Sequence, residues 1–535
     1  MDSITFKNFR KFKEETTFEL NNINILVGPN NSGKSTLTKG IRLYLYNILN
    51  LKSSSDNIFS IHPFFNFGCD AFSNPHIGTF GRAISKGAAE NDICFSARFF
   101  NTIIDTTVSR YSKHSKDSDG NPIDYFNKAF APITHISIYN HDYDTAYWFD
   151  FEEEDYSIQF NVSGNAKYYE IWKERIESMK KEQTPCYEED QDNPTILNEI
   201  EDPNISRLKK CIDFGLKEKL VMKTKMSSIM IEGSLYESLI YYVFKNAGEK
   251  TSPNYEVDLD TVNIFDDDNF AHYFVQIFFD ILDDFKKYVK AEHHIVIEAH
   301  SVTHSLVYNI SDKNDYMAQT ILDYISQDIK DTDPEKSFIE IWMKKFGVGE
   351  NFVIESFGGE CFKFEIIEDT NRPDVRVPLL DKGVGSNQIM ILLLRLATIM
   401  RQNRGTAIPC TIIIEEPEQN LHPKVQSLLA DLFNEVNEYP QKTNENSWGI
   451  GIIVETHSEY LVRKTQVVVA QMFKEGYERG EIPFSVFYIT GNDKIPSYEM
   501  GFQKNGKFEK SFGEGFYDVA DDAAMELLDL DNEEN

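Results

Sequence analysis

Apolar residues near the start of the chain fall in three short clusters. The run Ser3 to Phe12, SITFKNFRKF, alternates apolar and polar positions as an edge-facing strand does, and Thr17–Leu20 and Ile23–Val27 read as two further strands. From Leu37 to Leu51 apolar residues recur at helical spacing. After a Ser- and Phe-rich connector and the segment His76–Ile84, strand patterns return at about Asp92–Phe99, Ile133–Tyr139, Thr145–Phe151 and Tyr156–Val162, an antiparallel-looking block ending near Gly164. The period then changes. Amphipathic helices are predicted over Lys167–Lys181, Ser206–Phe214, Ser234–Asn246 and about Asn269–Glu292, with the acidic, proline-bearing stretch Pro185–Pro203 as a flexible insertion. No sustained heptad runs through these helices, which favours a compact lobe over a coiled-coil arm. Strand character resumes at Ile295–Ala299, helices follow at Tyr316–Ile329 and Pro334–Phe346, and strands at Asn351–Phe357 and Phe362–Ile367. The predicted fold class is α/β, with an antiparallel β subdomain and an inserted helical lobe. Residues 1–165 form the first half of the core, 166–350 the insertion and 351–535 the second half.

At 535 residues the chain exceeds one compact core, so two or three lobes are expected. No apolar run reaches the roughly twenty residues of a membrane span, and MDSITFKNFRKF lacks the apolar core of a signal peptide, so a soluble cytoplasmic protein without a membrane partner is expected. The six cysteines are scattered without a C-x-x-C pair, which suits free thiols and argues against a zinc ribbon. A net charge of −32 weighs against a surface that binds nucleic acid throughout and leaves room only for a local basic strip. The acid concentrates in Phe149–Asp155, Glu188–Asp202, Asp258–Asp268 and the tail from Asp518, as solvated faces or as docking sites for a basic protein.

The densest chemistry lies in Asn24 to Thr36, NILVGPNNSGKST, an apolar strand running into the pattern G-x-x-x-x-G-K-[ST]. Gly28 and Gly33 let the backbone fold into a nest, so that amides from Asn30, Asn31 and Ser32 through Thr36 point at phosphate oxygens. Lys34 supplies a charge to the β and γ phosphates of ATP, and the Ser35 hydroxyl is placed to ligate Mg²⁺. The helix starting near Lys34 adds its positive end.

Four later segments bear on the same site. DKGVGSNQIMILLLRLATIM, Asp381 to Met400, is a glycine-rich turn opening an apolar helix; it is a second anion site or an ordinary capped core helix. In PCTIIIEEPEQNLHP, four apolar β-formers deliver Glu415 and Glu416 to a strand's carboxyl end, where open α/β sheets hold ligands. The first can hold Mg²⁺, and the second can act as general base on the attacking water. GIIVETHSEYLV places His457 at another strand end, within reach of a γ-phosphate, with Glu455 and Ser458 as lesser candidates. The tail from Gly515 to Leu530 reads as an acidic amphipathic helix that packs on the core or on a neighbouring subunit. His293, His294, Glu298, His300 and His304 cluster in sequence, but strand alternation would split them between two faces, so a buried or interface hinge is preferred to a metal site.

These residues resemble a known group. NILVGPNNSGKST, GVGSNQ, IIIEEPEQNLHP and VETHSEYL are similar to the Walker A, signature, Walker B with D-loop, and switch-histidine segments of ABC-type ATPases of the RecF, SMC and OLD class. Together with FKNFRKF and GEGFYDVADDAAMELL they resemble in particular the ATPases of anti-phage systems such as Septu, PARIS and retron-linked operons, and HIGTFGRAI is similar to a Q-loop region. The resemblance covers about half of the chain; the helical middle matches no motif, and the signature lacks the L-S-G-G-Q form.

The resemblance implies an ABC-type P-loop ATPase in which Lys34 and Ser35 bind phosphate and Mg²⁺, Glu415 is the Walker B acid, Glu416 the catalytic base and His457 the switch histidine. Gly383, Gly385 and Ser386 would reach the γ-phosphate of ATP held by a partner subunit, in a head-to-tail dimer with two ATP molecules at the interface. A dimer is then the minimum assembly, with higher order open. The leading expectation is an ATP-driven sensor and regulator in phage defence that controls a separate nuclease or toxin. Its alternatives are a RecF- or SMC-like repair ATPase that binds DNA directly, through Lys7, Arg10, Lys11, Lys13, Lys209, Lys210, Lys217 and Lys219, or a scaffold that assembles on ATP with little turnover. No intrinsic nuclease is expected, because after His457 the sequence reads as only a short strand pair and the acidic tail.

Overall fold

The computed structural model describes residues 1–49, 64–68, 77–141, 145–150, 157–162, 186–189, 197–200, 220–225, 294–297, 305–313, 315–404, 410–443, 450–513, 516–518, 523 and 525–526. The helices expected at 167–181, 206–214, 234–246 and 269–292 lie outside these residues, as does most of the tail helix. The chain divides into two compact units. The first comprises Met1–Glu19 and Leu43–Val289, the second Leu20–Arg42 and Lys290–Asn535.

The first unit is built on an antiparallel sheet. Its strands are β1 (Ser3–Lys7), β2 (Thr16–Glu19), β4 (Phe64–Asn66), β5 (Asp92–Phe99), β6 (Thr102–Ser109), β9 (Phe130–Asn140) and β10 (Thr145–Asp150), in the order β10-β9-β6-β5-β1-β2 with β4 on β9. The opening strand is therefore not an edge: β1 pairs with β5 on one side and β2 on the other. The strand also ends at Lys7, because Asn8 and Arg10 take left-handed backbone conformations at φ 62° and 49° and turn the chain. This turn folds Phe9 and Phe12 back onto Phe6, with ring centroids 5.3 and 5.5 Å away, and all three are fully buried. The spacing FKNFRKF thus encodes an aromatic knot. Three hairpins or pairs complete the unit: β7 (Tyr111–Lys116) with β8 (Pro122–Asp124), β11 (Ser157–Val162) with β14 (Leu220–Lys225), and β12 (Cys186–Glu189) with β13 (Leu197–Ile200). The last of these lies inside the stretch expected to be a flexible insertion.

The second unit carries a six-stranded sheet in the order β15-β20-β21-β3-β22-β23. Its members are β3 (Ile23–Val27), β15 (His294–Ile297), β20 (Cys410–Glu415), β21 (Ile450–Glu455), β22 (Phe484–Ile489) and β23 (Ser497–Glu499). The first five run parallel and β23 is antiparallel. Near-continuous apolar runs such as CTIII, IGIIV and FSVFYI are what a sheet covered on both faces requires. A smaller antiparallel sheet holds β16 (Tyr308–Asn309), β17 (Asn351–Phe357), β18 (Cys361–Ile367) and β19 (Arg376–Pro378).

Among the described residues the helices are α1 (Lys34–Leu49), the one-turn α2 (Phe80–Ala83), α3 (Tyr316–Ser326), α4 (Pro334–Phe346), α5 (Val384–Asn403), α6 (Pro423–Thr443) and α7 (Glu459–Glu475). Residues from α3 to α7 share one core with alternate positions Ile23, Ile25 and Val27 of β3, and the fully buried Trp342 sits within it. The segment after His457 is thus richer than a strand pair, since the seventeen-residue α7 precedes β22. The beginning of the tail does pack on the unit: the Phe516 ring lies 5.2 Å from that of Tyr488 and 5.4 Å from that of Phe512. The α/β class is the expected one, and the antiparallel β subdomain is present as the first unit's sheet.

Candidate functional site

All of the candidate site residues lie in the second unit. Because β3, β20 and β21 are parallel and adjacent, three loops leave the same end of the sheet, where an open parallel sheet gathers its ligand. The loop Gly28–Gly33 follows β3, Glu416 follows β20, and Thr456, His457 and Ser458 follow β21.

The P-loop is tightly framed. Gly28 has φ 152°, and a Cβ there would collide with the carbonyl oxygen of Ile489, so the loop is braced from the end of β22. α1 begins at Lys34, as its loop requires. The Lys34 ammonium is buried and donates to the Gly28 and Pro29 carbonyls at 2.7 and 3.0 Å, curling inside its own loop. Burial lowers its pKa, opposed by the nearby carboxylates of Glu455, Glu416 and Glu418. The buried Ser32 hydroxyl has no protein partner. In contrast, Ser35 Oγ donates to Glu455 Oε2 at 2.8 Å, and Thr38 Oγ1, one helical turn on, donates to Glu455 Oε1. Glu455 is 4% exposed; burial raises its pKa, and the two hydroxyl bonds and the Lys34 charge oppose that shift.

The two adjacent carboxylates part company. Glu415, the last residue of β20, lies across the ladder from Glu455 and within 4.0 Å of the buried Arg42 guanidinium. Glu416 takes φ 43°, an uncommon conformation for a residue with a Cβ, and its amide donates to the Glu455 carbonyl at 2.8 Å. Its side chain accepts from Gln419 Nε2, and its Oε1 lies 3.7 Å from His457 Nε2. The His457 pKa is lowered first by burial and then by the Lys34 charge, with Glu416 opposing, so its imidazole is neutral at neutral pH. The His457 amide donates to Glu418 Oε1 at 2.6 Å. Burial raises the pKa of Glu418, opposed mainly by that amide bond. Ser458 caps α7 through the Leu461 amide and donates to Gln426 at 2.6 Å.

Gly383, Gly385 and Ser386 stand elsewhere. They open α5, with Gly383 at φ 86°. A Cβ on Gly385 would stand 2.7 Å from the Asn420 carbonyl, so the turn packs on the segment following Glu416 in its own chain. Gln388, on the next turn of α5, reaches the Glu416 carbonyl at 3.4 Å. Of the histidine-rich stretch only β15 is described, and among the described residues no cluster of His, Cys, Asp and Glu could hold a metal ion.

A model of the AAA ATPase domain matches residues 1–462. The chain belongs to the AAA ATPase domain family. No curated protein matches it. Among solved structures, this family member is similar to the SMC head domain from Thermotoga maritima, at 8% identity and a TM-score of 0.31 over 94% of this chain and 98% of that one. It is also similar to the recombination mediator protein RecF, at 10% identity and a TM-score of 0.26 over 92% and 96%.

An AAA ATPase domain implies a nucleotide and, with it, Mg²⁺. The residues fit both. The cradle closes if Gly28 gains a side chain, Lys34 and the orphaned Ser32 hydroxyl stand ready for phosphate oxygens, and Ser35 has a buried carboxylate behind it. Lys34, Ser35, Glu416 and His457, which the motifs single out, are brought to one end of the sheet. Glu455 ranked second in the sequence, and Thr38, Glu418, Gln388 and the Ile489 brace were missed. A carboxylate directly ending an apolar strand, and a hydroxyl three residues beyond Ser35, were the available signs.

Proposed function

We propose that this protein is an ABC-type ATPase that hydrolyses ATP at the P-loop site and works as an ATP-closed dimer. The observation that carries the reading is the convergence of Lys34, Ser35, Glu455, Glu416 and His457 at one end of a single parallel sheet. On binding, Lys34 exchanges the Gly28 and Pro29 carbonyls for β- and γ-phosphate oxygens, and loop amides from Gly28 to Thr36, including those of Asn30, Asn31, Ser32 and Gly33, surround the phosphates. Glu416 holds the attacking water and accepts its proton, with neutral His457 beside it as a hydrogen-bond partner. Ser35 and, as the second candidate, Glu415 would hold Mg²⁺, which would supply charge neutralisation at the phosphates.

The half site is completed by a second copy. Gly383 and Val384 are exposed at the start of α5, and Gly385 and Ser386 follow them, so this turn can reach the γ-phosphate of a partner's ATP. Lys34→Ala should weaken ATP binding by roughly a hundred-fold, the loss of about 3 kcal/mol from one charged donor. Glu416→Gln should keep binding and lose turnover by roughly a hundred-fold or more. In light scattering, Glu416→Gln with ATP should run as a dimer and Lys34→Ala as a monomer. Equal loss of ATP binding in Lys34→Ala and in a Gly385 variant would sink the composite site.

At the biological level the reading is a sensor and regulator in anti-phage defence, acting on a separate nuclease or toxin effector. Support comes from the motif resemblance; the test is phage plating with wild type, Lys34→Ala and Glu416→Gln beside the neighbouring genes, and equal protection by all three would overturn it. A RecF- or SMC-like ATPase that binds DNA itself is the second reading. It is favoured by two neighbouring cations in the first unit, where the Arg10 pKa is lowered first by burial and then by the charge of Arg82. Salt-sensitive DNA affinity lost in an Arg10→Glu variant would select it.

A further inference from the structure

The family pattern assigns the acid that follows the apolar β20 run, Glu415, to the cation. In this chain the carboxylate bonded to the Ser35 hydroxyl is instead Glu455, at the end of β21. Sheet order explains why. β21 lies directly beside the P-loop strand, with Glu455 opposite Leu26, whereas β20 is one strand further away and Glu415 faces the Arg42 guanidinium. Both carboxylate oxygens and the carbonyl of Glu455 are engaged: Oε2 by Ser35, Oε1 by Thr38, and the carbonyl by the amide of Glu416. A carboxylate 4% exposed costs several kcal/mol to bury uncompensated, and two hydroxyls and a neighbouring ammonium are the compensation present.

We propose that Glu455 is the positioning residue for the cation: it accepts the hydrogen bond of the Ser35 hydroxyl, so that the oxygen lone pairs face the metal, and it adds a negative charge behind that ligand. The inference rests on reading the P-loop as a Mg·ATP site. A hydroxyl can donate its proton to one acceptor while its lone pairs bind a cation, so the Ser35–Glu455 bond persists when the site is loaded. The same carboxylate fixes the start of α1 through Thr38, while the backbone carbonyl of Glu455 holds the amide of the candidate base Glu416, so one residue borders both the cation side and the water side of the site. A purely structural role predicts the same contacts but no selective effect on metal affinity.

The experiment uses the full chain with the non-hydrolysable analogue AMP-PNP, whose affinity is measured in EDTA by a fluorescent derivative and whose Mn²⁺ affinity is measured by electron paramagnetic resonance. Glu455→Gln should leave metal-free nucleotide affinity within about two-fold and weaken Mn²⁺ by roughly ten- to a hundred-fold, the range for a residue that orients a metal ligand. Because Glu455 acts through Ser35, the Ser35→Ala, Glu455→Gln double variant should hold Mn²⁺ no more weakly than Ser35→Ala alone. Wild-type Mn²⁺ affinity in Glu455→Gln, or full additivity in the double variant, overturns the proposal. If Glu455→Gln does not fold, Glu455→Asp keeps the charge but withdraws it by one methylene; it should weaken Mn²⁺ several-fold, and unchanged affinity overturns the proposal equally. A wild-type protein that binds no AMP-PNP removes the ATPase reading itself, a result distinct from normal binding with an indifferent Glu455.

Discussion

The Lys34 ammonium is held by two carbonyls of its own loop, and the Ser35 hydroxyl by Glu455, so on the proposed reading both groups are ordered in advance of nucleotide. Such preorganisation lowers the conformational cost of binding. It also makes the loop intolerant. Gly28→Ala should abolish measurable nucleotide binding, because the added methyl meets the Ile489 carbonyl and cannot be absorbed by rotating a side chain. Isothermal titration would check this, and a thermal melt would show whether the damage stays local. At this scale the sequence is legible where chemistry demands a residue type at a fixed spacing, as at Gly33, Lys34 and Ser35. It is silent where the demand comes from another strand. Nothing local marks Ile489 as the wall of the cradle, or Glu416 as a residue held at φ 43°.

At the scale of elements, periodicity located β3, β5, β17, β18, α3 and α4 closely, because each carries an uninterrupted pattern of period 2 or 3.6. It failed where one residue changes the backbone: Asn8 and Arg10 end β1 early and make the aromatic knot. It failed also at 186–200, where acidic composition concealed a hairpin. The packing of helices in the second unit depends on a polar group that no periodicity shows. Glu335 of α4 is fully buried, accepts from the Tyr439 hydroxyl of α6 at 2.8 Å and lies 4.0 Å from Arg401 of α5 and 3.6 Å from Arg404. Burial, and then the bond to Glu335, raises the Tyr439 pKa, so the phenol stays a donor. Glu335→Ala leaves the buried Tyr439 hydroxyl without its acceptor, while Arg401 and Arg404 keep Asp333, and should destabilise the unit by about 1–3 kcal/mol, read as a lowered denaturant midpoint. Trp342→Ala, which empties the middle of the same core, should cost ~3–5 kcal/mol.

At the scale of the whole molecule, the strand order β15-β20-β21-β3-β22-β23 joins the start of the sequence to its far end. β3 has two neighbours, and they lie more than four hundred residues away along the chain. The family match ends at residue 462, but the wall of the cradle is Ile489, and Gly491 lies against Ser32. A fragment ending at residue 462 should therefore keep the segments of Lys34, Gly385, Glu416 and His457 and still fail to bind ATP, which a filter-binding assay of the fragment against the full chain would check. The loop and its brace thus stand far apart along the chain and become neighbours only through the pairing of β3 with β22, so the cradle is a product of that long-range pairing and no local stretch of sequence can form it alone.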